Sequence, residues 1–136
     1  MRFGSREWIA AVVAALGAHP DLPRALGGLG RDVALVVEAD PPAWPRTVAA
    51  WFEQRGGRIA RWRVLEDEDE VLELEPAYVV RAPYGVVRTL LDGADPVRAA
   101  LTGRVRVEGD LEALIRRAHY RHVLDEALAT VPTELP

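Results

Sequence analysis

The sequence predicts an α+β domain, a largely antiparallel sheet with one wet face and one face covered by helices. Three observations carry this expectation. Separate extended segments around Trp62, Tyr78 and Val105 each alternate arginine with apolar residues, and a period of two makes a sheet polar on one side and apolar on the other. Other segments repeat their apolar residues at helical spacing. The length, 136 residues, fits one domain spanning the whole chain, 1–136.

Each element follows from local chemistry. Ser5 is placed to cap a helix whose apolar residues Trp8, Ile9, Val12, Val13 and Leu16 share a face, and Gly17 and Pro20 end it. Asp21-Leu22-Pro23 opens a second short helix, which Gly27, Gly28 and Gly30 stop. Asp32–Glu38 (DVALVVE) is a short apolar run bounded by turn formers, which reads as a strand buried on both faces. After the Asp40-Pro41-Pro42 break, two runs joined by Arg55-Gly56-Gly57 form a hairpin. In its second arm Ala60, Trp62 and Val64 alternate with Arg61 and Arg63.

The acidic run Glu66–Glu70 reads as a solvated loop, followed by an extended run to Ala82 in which Tyr78, Val80 and Ala82 alternate with Arg81. Pro83 starts a helical stretch through Leu91, and Asp95-Pro96 starts another through Leu101. The last strand is Arg104–Glu108. Asp110 caps a helix running to about Ala129, with residues from about 119 to 136 forming a C-terminal helical extension. This helix changes face: Leu111, Leu114, Ile115 and Ala118 share one stripe, whereas Val123, Leu124, Ala127 and Leu128 sit on roughly the opposite one. Either it breaks near His119–Tyr120 or its far half packs against something else.

Composition excludes several functions. All 17 basic residues are Arg, Lys, Asn and Cys are absent, and the net charge is −4. An acidic chain is not a dedicated nucleic-acid binder. Without cysteine there is no disulfide, thiol nucleophile or iron–sulfur cluster. The apolar run Ile9–Leu16 is amphipathic, and no stretch is long enough to span a bilayer, so a cytoplasmic protein is expected.

The candidates for chemistry are weak. His119, His122 and Glu126 stand at i, i+3 and i+7, a spacing that could gather a metal, but no H-E-x-x-H element accompanies them, and a solvated or helix-end histidine pair explains them better. The acidic run lacks calcium-loop spacing. Gly27-Gly28-Leu29-Gly30 precedes a strand, the wrong context for a phosphate cradle. Ser5, the single serine, is a helix cap. Arg61, Trp62 and Arg63 look like a stacking face for nucleic acid, yet alternation points the Trp away from both Arg. The aromatic residues fit either a core or the wall of an apolar cavity.

Residues 79–118 resemble the C-terminal half of the type 2 sterol carrier protein (sterol-carrier-like lipid transfer) family. The resemblance rests on a strand followed by a helix ending at Leu91-Asp92-Gly93, then Asp95-Pro96, a second short helix, Gly103-Arg104 with Val105 and Val107, and Gly109-Asp110-Leu111. The order of elements before residue 79, with Trp8 on a helix and a Val-rich strand ending in Glu38-Ala39-Asp40-Pro41, fits less specifically. The resemblance implies a mostly antiparallel five-stranded sheet covered by helices on one side. It further implies an apolar tunnel between them that holds a fatty acid, acyl thioester or sterol-like lipid without chemical change.

Carried onto matching positions, the wall candidates are Val105, Val107, Leu111, Leu114 and Ile115, with Leu90, Leu91, Val97 and Leu101 on the preceding helices. Alternation adds Trp62, Tyr78 and Val80. No cofactor, metal or catalytic residue is expected, and the partner is a hydrophobic small molecule. The alternative is a structural or dimerisation module with a filled core and no ligand, a homodimer through Val123, Leu124, Ala127 and Leu128 of the C-terminal helix.

Overall fold

The computed structural model describes residues 1–136. Its elements are α1 (Arg6–Gly17), α2 (Leu22–Leu26), β1 (Asp32–Glu38), β2 (Val48–Arg55), β3 (Arg58–Leu65), α3 (Glu68–Leu74), β4 (Tyr78–Pro83), α4 (Tyr84–Leu91), α5 (Pro96–Leu101), β5 (Arg106–Glu108), α6 (Leu111–Arg117), a 3₁₀ turn (Ala118–Tyr120) and α7 (Arg121–Ala129). The five strands form one sheet in the order β3-β2-β1-β4-β5. Every neighbouring pair is antiparallel except β1 and β4, which run parallel.

Local signals set these boundaries. Ser5 accepts the Trp8 N–H at 3.1 Å and Asp95 accepts that of Val97 at 2.9 Å, so both helices start on a satisfied donor. Gly56 and Gly57 turn the β2–β3 hairpin with φ of 61° and 77°, a conformation that favours glycine. The expected alternation of β3 holds from Arg61 onward; between Glu53 and Gln54 the register shifts, and Ala60 is the extra residue.

Cross-strand register sorts the side chains onto two faces. One carries Asp32, Ala34, Val36, Ala49, Trp51, Glu53, Leu65, Val79 and Arg81. The expectation that this Arg-bearing face is simply wet is corrected. Helix α3 lies on it, and Val71 joins Ala34, Val36, Ala49, Trp51, Leu65 and Val79 in the largest buried cluster. The arginines ring that cluster: Arg61 is bidentate to Glu53 at 2.9 and 3.0 Å, Arg81 meets Glu68 at 2.6 Å, and Arg106 pairs with Glu38.

The acidic segment is therefore not a loop. Asp67 accepts the Glu70 N–H at 3.0 Å, and the acids of the first turn favour the positive end of the helix they begin. Alternating acids hid the two apolar residues, Val71 and Leu74, that face the sheet.

The opposite face is the helix-covered one. Arg6 of α1 lies over the Trp62 ring, α4 contacts β1 and β4, and α5 packs Ala99 against Ala82 and Val105. The C-terminal helix breaks at residues 118–120, as its change of face allows. Beyond the break α7 folds back on α1 and α2 and buries Val123 and Ala127. Those two residues of the stripe belong to the chain's own core, whereas Leu124 is 47% exposed and Leu128 half-buried.

Candidate functional site

The helix-covered face is built from one lateral row that crosses all five strands: Val64, Ala50, Leu35, Val80 and Val107. A second row beside it runs Trp62, Phe52, Val33 and Tyr78. These are apolar positions at the centre of the molecule, yet of the first row only Ala50 is buried. Leu35, in the middle of the central strand, is 43% exposed. The neighbouring residue Ala34, pointing to the α3 side, has no exposure at all. The expectation that β1 is buried on both faces is corrected: it is packed against α3 on one side and open at Leu35 on the other.

The helices explain the opening. Helix α4 reaches the sheet at the Val37 end of β1, where Val37, Val48, Val87 and Leu91 pack on Phe3, Trp44 and Tyr84. The Trp44 and Tyr84 rings stack at 5.0 Å, nearly parallel. At the other end Gly109 (φ 123°) brings α6 down on Tyr78; a Cβ there would lie 2.7 Å from both the Ala77 carbonyl oxygen and Tyr78. From that anchor Asp110 accepts the Ala113 N–H at 3.1 Å. Arg117, at the far end of α6, donates to the carbonyls of Arg24 (3.0 Å) and Gly27 (2.5 Å) at the end of α2. Helix α6 is thus held at both ends, and none of its residues is buried. Leu35 lies between these two anchored regions.

The expected wall residues fall into three groups. Trp62, Val80 and Val107 lie half-buried on the open face, Leu90 packs beside Val80 and Val107, and Leu91 packs beside Trp44. Leu111, Leu114 and Ile115 on α6 and Val97 on α5 are half-buried as well. Tyr78 and Val105 are buried, the first beneath Gly109 and the second against Ala99. Leu101 is the exposed one of the set. It closes α5 and is 66% exposed. Sequence reasoning missed Leu35, Val33 and Phe52, since a continuous apolar run says nothing about which side is covered.

Polar chemistry gathers elsewhere, where the α1–α2 loop meets α7. His122 pairs with Asp21 at 3.0 Å and His19 pairs with Glu126, with the two imidazoles edge to face at 5.6 Å. His19 Nδ1 accepts the Asp21 N–H at 3.1 Å, which leaves its Nε2 to face Glu126. The hydrogen bond with Asp21 raises the His122 pKa above its ordinary value, and the same bond lowers that of Asp21. This arrangement answers the expected His119, His122 and Glu126 grouping: the three do not converge, and His119 instead stands against Tyr120. The sequence signal for the real cluster was His19, which lies far away in the chain. A pocket of about 460 Å³ opens here, lined by both pairs. It is separate from the apolar face, whose five-residue row contains no titratable or nucleophilic group.

The fold is similar to that of several solved structures. A crystal structure of sterol carrier protein 2 superposes with a TM-score of 0.77 at 22% identity, covering 96% of this chain and 99% of the other. The conserved protein TT1886 of Thermus thermophilus, a candidate sterol carrier protein, gives 0.77 at 21% identity over 97% and 91%. The ubiquinone synthesis protein UbiJ-SCP2 gives 0.51 at 18% identity over 87% and 90%. No family model matches the sequence, and no curated protein does. The chain has the sterol carrier protein 2 fold.

Proposed function

We propose that the protein is a non-catalytic carrier of a hydrophobic small molecule, a fatty acid, acyl thioester or sterol-like lipid, held between the sheet and the helices. The observation that carries this reading is the exposure of Leu35 at the centre of the sheet. An apolar side chain left open to water in mid-sheet is unfavourable, and an apolar molecule there removes that exposed surface. The likeness to sterol carrier protein 2 supports the same reading from the fold. A chain long enough to cross the row would gain about 0.8 kcal/mol per buried methylene, enough for micromolar affinity after the cost of ordering. Groups suited to acid–base or nucleophilic work are absent from the row, so binding without conversion is the chemistry it offers. The opening also argues against a filled core. No helix is long and apolar enough to cross a membrane.

Titration with fatty acids and sterols, followed by tryptophan fluorescence, tests this directly. Trp62 stands in the row next to that of Leu35, so a saturable change in its emission is expected. Silence across several chain lengths and sterols would overturn the proposal.

A further inference from the structure

We propose that Tyr84 and Arg88 of α4 hold the head group of the cargo, and that this cargo is a fatty acid bound as its carboxylate. The inference rests on the carrier reading and narrows it. Tyr84 is 4% exposed, and its hydroxyl is buried with no hydrogen-bond partner in the chain. No other buried side-chain nitrogen or oxygen is left in that state. The ring is fixed: Trp44 stacks on it at 5.0 Å, and the Phe3 ring stands 6.1 Å away. A buried phenol without a partner is unfavourable, and an acceptor brought from outside the chain removes that cost.

The hydroxyl belongs to a cluster that adjoins the open row. Val37 packs on that cluster and lies two residues from Leu35 on the same face of β1, about 7 Å along the strand. Val87 is shared, packing both on the Tyr84 cluster and on the cluster that Val80 and Val107 join. Arg88 follows Tyr84 by one helical turn, with its side chain 43% exposed. Its carboxylate partner is Asp92 at 3.4 Å, an exposed pair on one helix that contributes little and yields readily to another anion. Tyr84 does most to raise the Arg88 pKa, ahead of Asp92, although the two side chains lack the geometry of a hydrogen bond. A buried O–H donor and a half-exposed guanidinium thus stand one turn apart where the apolar wall meets water. A carboxylate accepts from both, and both bonds are charge-assisted. An acyl chain lying over Leu35 puts its head at this end. The neutral oxygen of an ester or a sterol can take the phenol's bond, but it gives the guanidinium no anion.

Calorimetric titration of the full chain with dodecanoate and with its methyl ester is the test. The wild type should bind the acid more tightly than the ester. Tyr84→Phe should weaken the acid about tenfold and the ester by threefold at most, since a hydrogen bond to a charged group is about twice as strong as a neutral one. Arg88→Gln should weaken the acid alone. The unfolding midpoint of ligand-free Tyr84→Phe should not fall, because the hydroxyl it loses has no partner in the chain. A fall of about 4 °C, as for a lost hydrogen bond, overturns the proposal. Equal loss of acid and ester in Tyr84→Phe, or an acid affinity unchanged by either substitution, also overturns it. If the wild type binds the ester as tightly as the acid, the head-group assignment fails and the carrier reading stands. If it binds neither, both fail.

Discussion

The indole N–H of Trp51 donates to the Asp32 carboxylate at 2.7 Å, and the other oxygen of that carboxylate accepts the Ala77 N–H at 2.8 Å. One buried charge thus ties β1 to β2 and to the start of β4. Arg31 completes the set at 3.2 Å. Burial pushes the Asp32 carboxyl up, but the Ala77, Trp51 and Arg31 donors together hold it below its ordinary value. Asp32→Ala leaves the Trp51 and Ala77 donors without that acceptor and is expected to cost about 2–4 kcal/mol in urea unfolding. Asp32→Asn keeps one acceptor oxygen and costs less.

The same residue sets an acid limit. A carboxyl whose folded pKa is lowered contributes stability that is present above its ordinary value near 3.9 and is lost as pH falls through the folded value. Thermal unfolding midpoints of the wild type should fall steeply below about pH 4, and Asp32→Asn should flatten that fall.

Leu35 and Leu65 provide a contrast between two leucines of one sheet. Leu65 is 2% exposed against α3 and Leu35 is 43% exposed on the open side. Leu65→Ala is expected to cost about 2–5 kcal/mol, and Leu35→Ala less than about 1 kcal/mol. Denaturant titration of both variants measures the difference. Equal costs would mean that the open face closes in solution.

Val71 tests whether the acidic segment is structural. The residue is 2% exposed on the sheet-facing side of α3, and Val71→Ala should cost about 2 kcal/mol. Asp67→Ala removes the cap and should cost about 1 kcal/mol. Both are read from unfolding midpoints.

At the α7 contact the sign is reversed. His122 is raised by its hydrogen bond to Asp21, so the pair stabilises α7 docking below the ordinary histidine value near 6.5 and loses that effect as pH rises through the raised value. His19, Glu126 and Arg24 also face this contact from the α1–α2 loop, α7 and α2. Protection factors along residues 121–129, which correct for the base catalysis of exchange, should fall on the alkaline side, and Asp21→Asn should remove most of that fall.

Much of this was legible in the sequence because it depends on near neighbours. Ser5, Asp95 and Asp110 cap the helices they precede, and Gly56-Gly57 turns the hairpin as its type requires. The apolar side of β3, β4 and β5 could be read from arginine alternation. What was not legible depends on distant packing. Val71 and Leu74 look like interruptions in an acidic run until Leu65 and Trp51 are placed beneath them. Val33, Leu35 and Val37 have the same composition as a doubly buried strand, and only the positions of α4 and α6 decide that Leu35 stays open. His19 and Glu126 are far apart in the chain and meet only because α7 folds back.

The central claim is that the row from Val64 to Val107 holds an apolar molecule. Native mass spectrometry of protein purified from its own host, followed by solvent extraction, tests it most directly. The account predicts one apolar molecule of defined mass per chain, absent from a folded Leu35→Trp variant whose indole fills the opening. The bare chain mass, in the purified protein and again after incubation with fatty acids of several lengths, would contradict it.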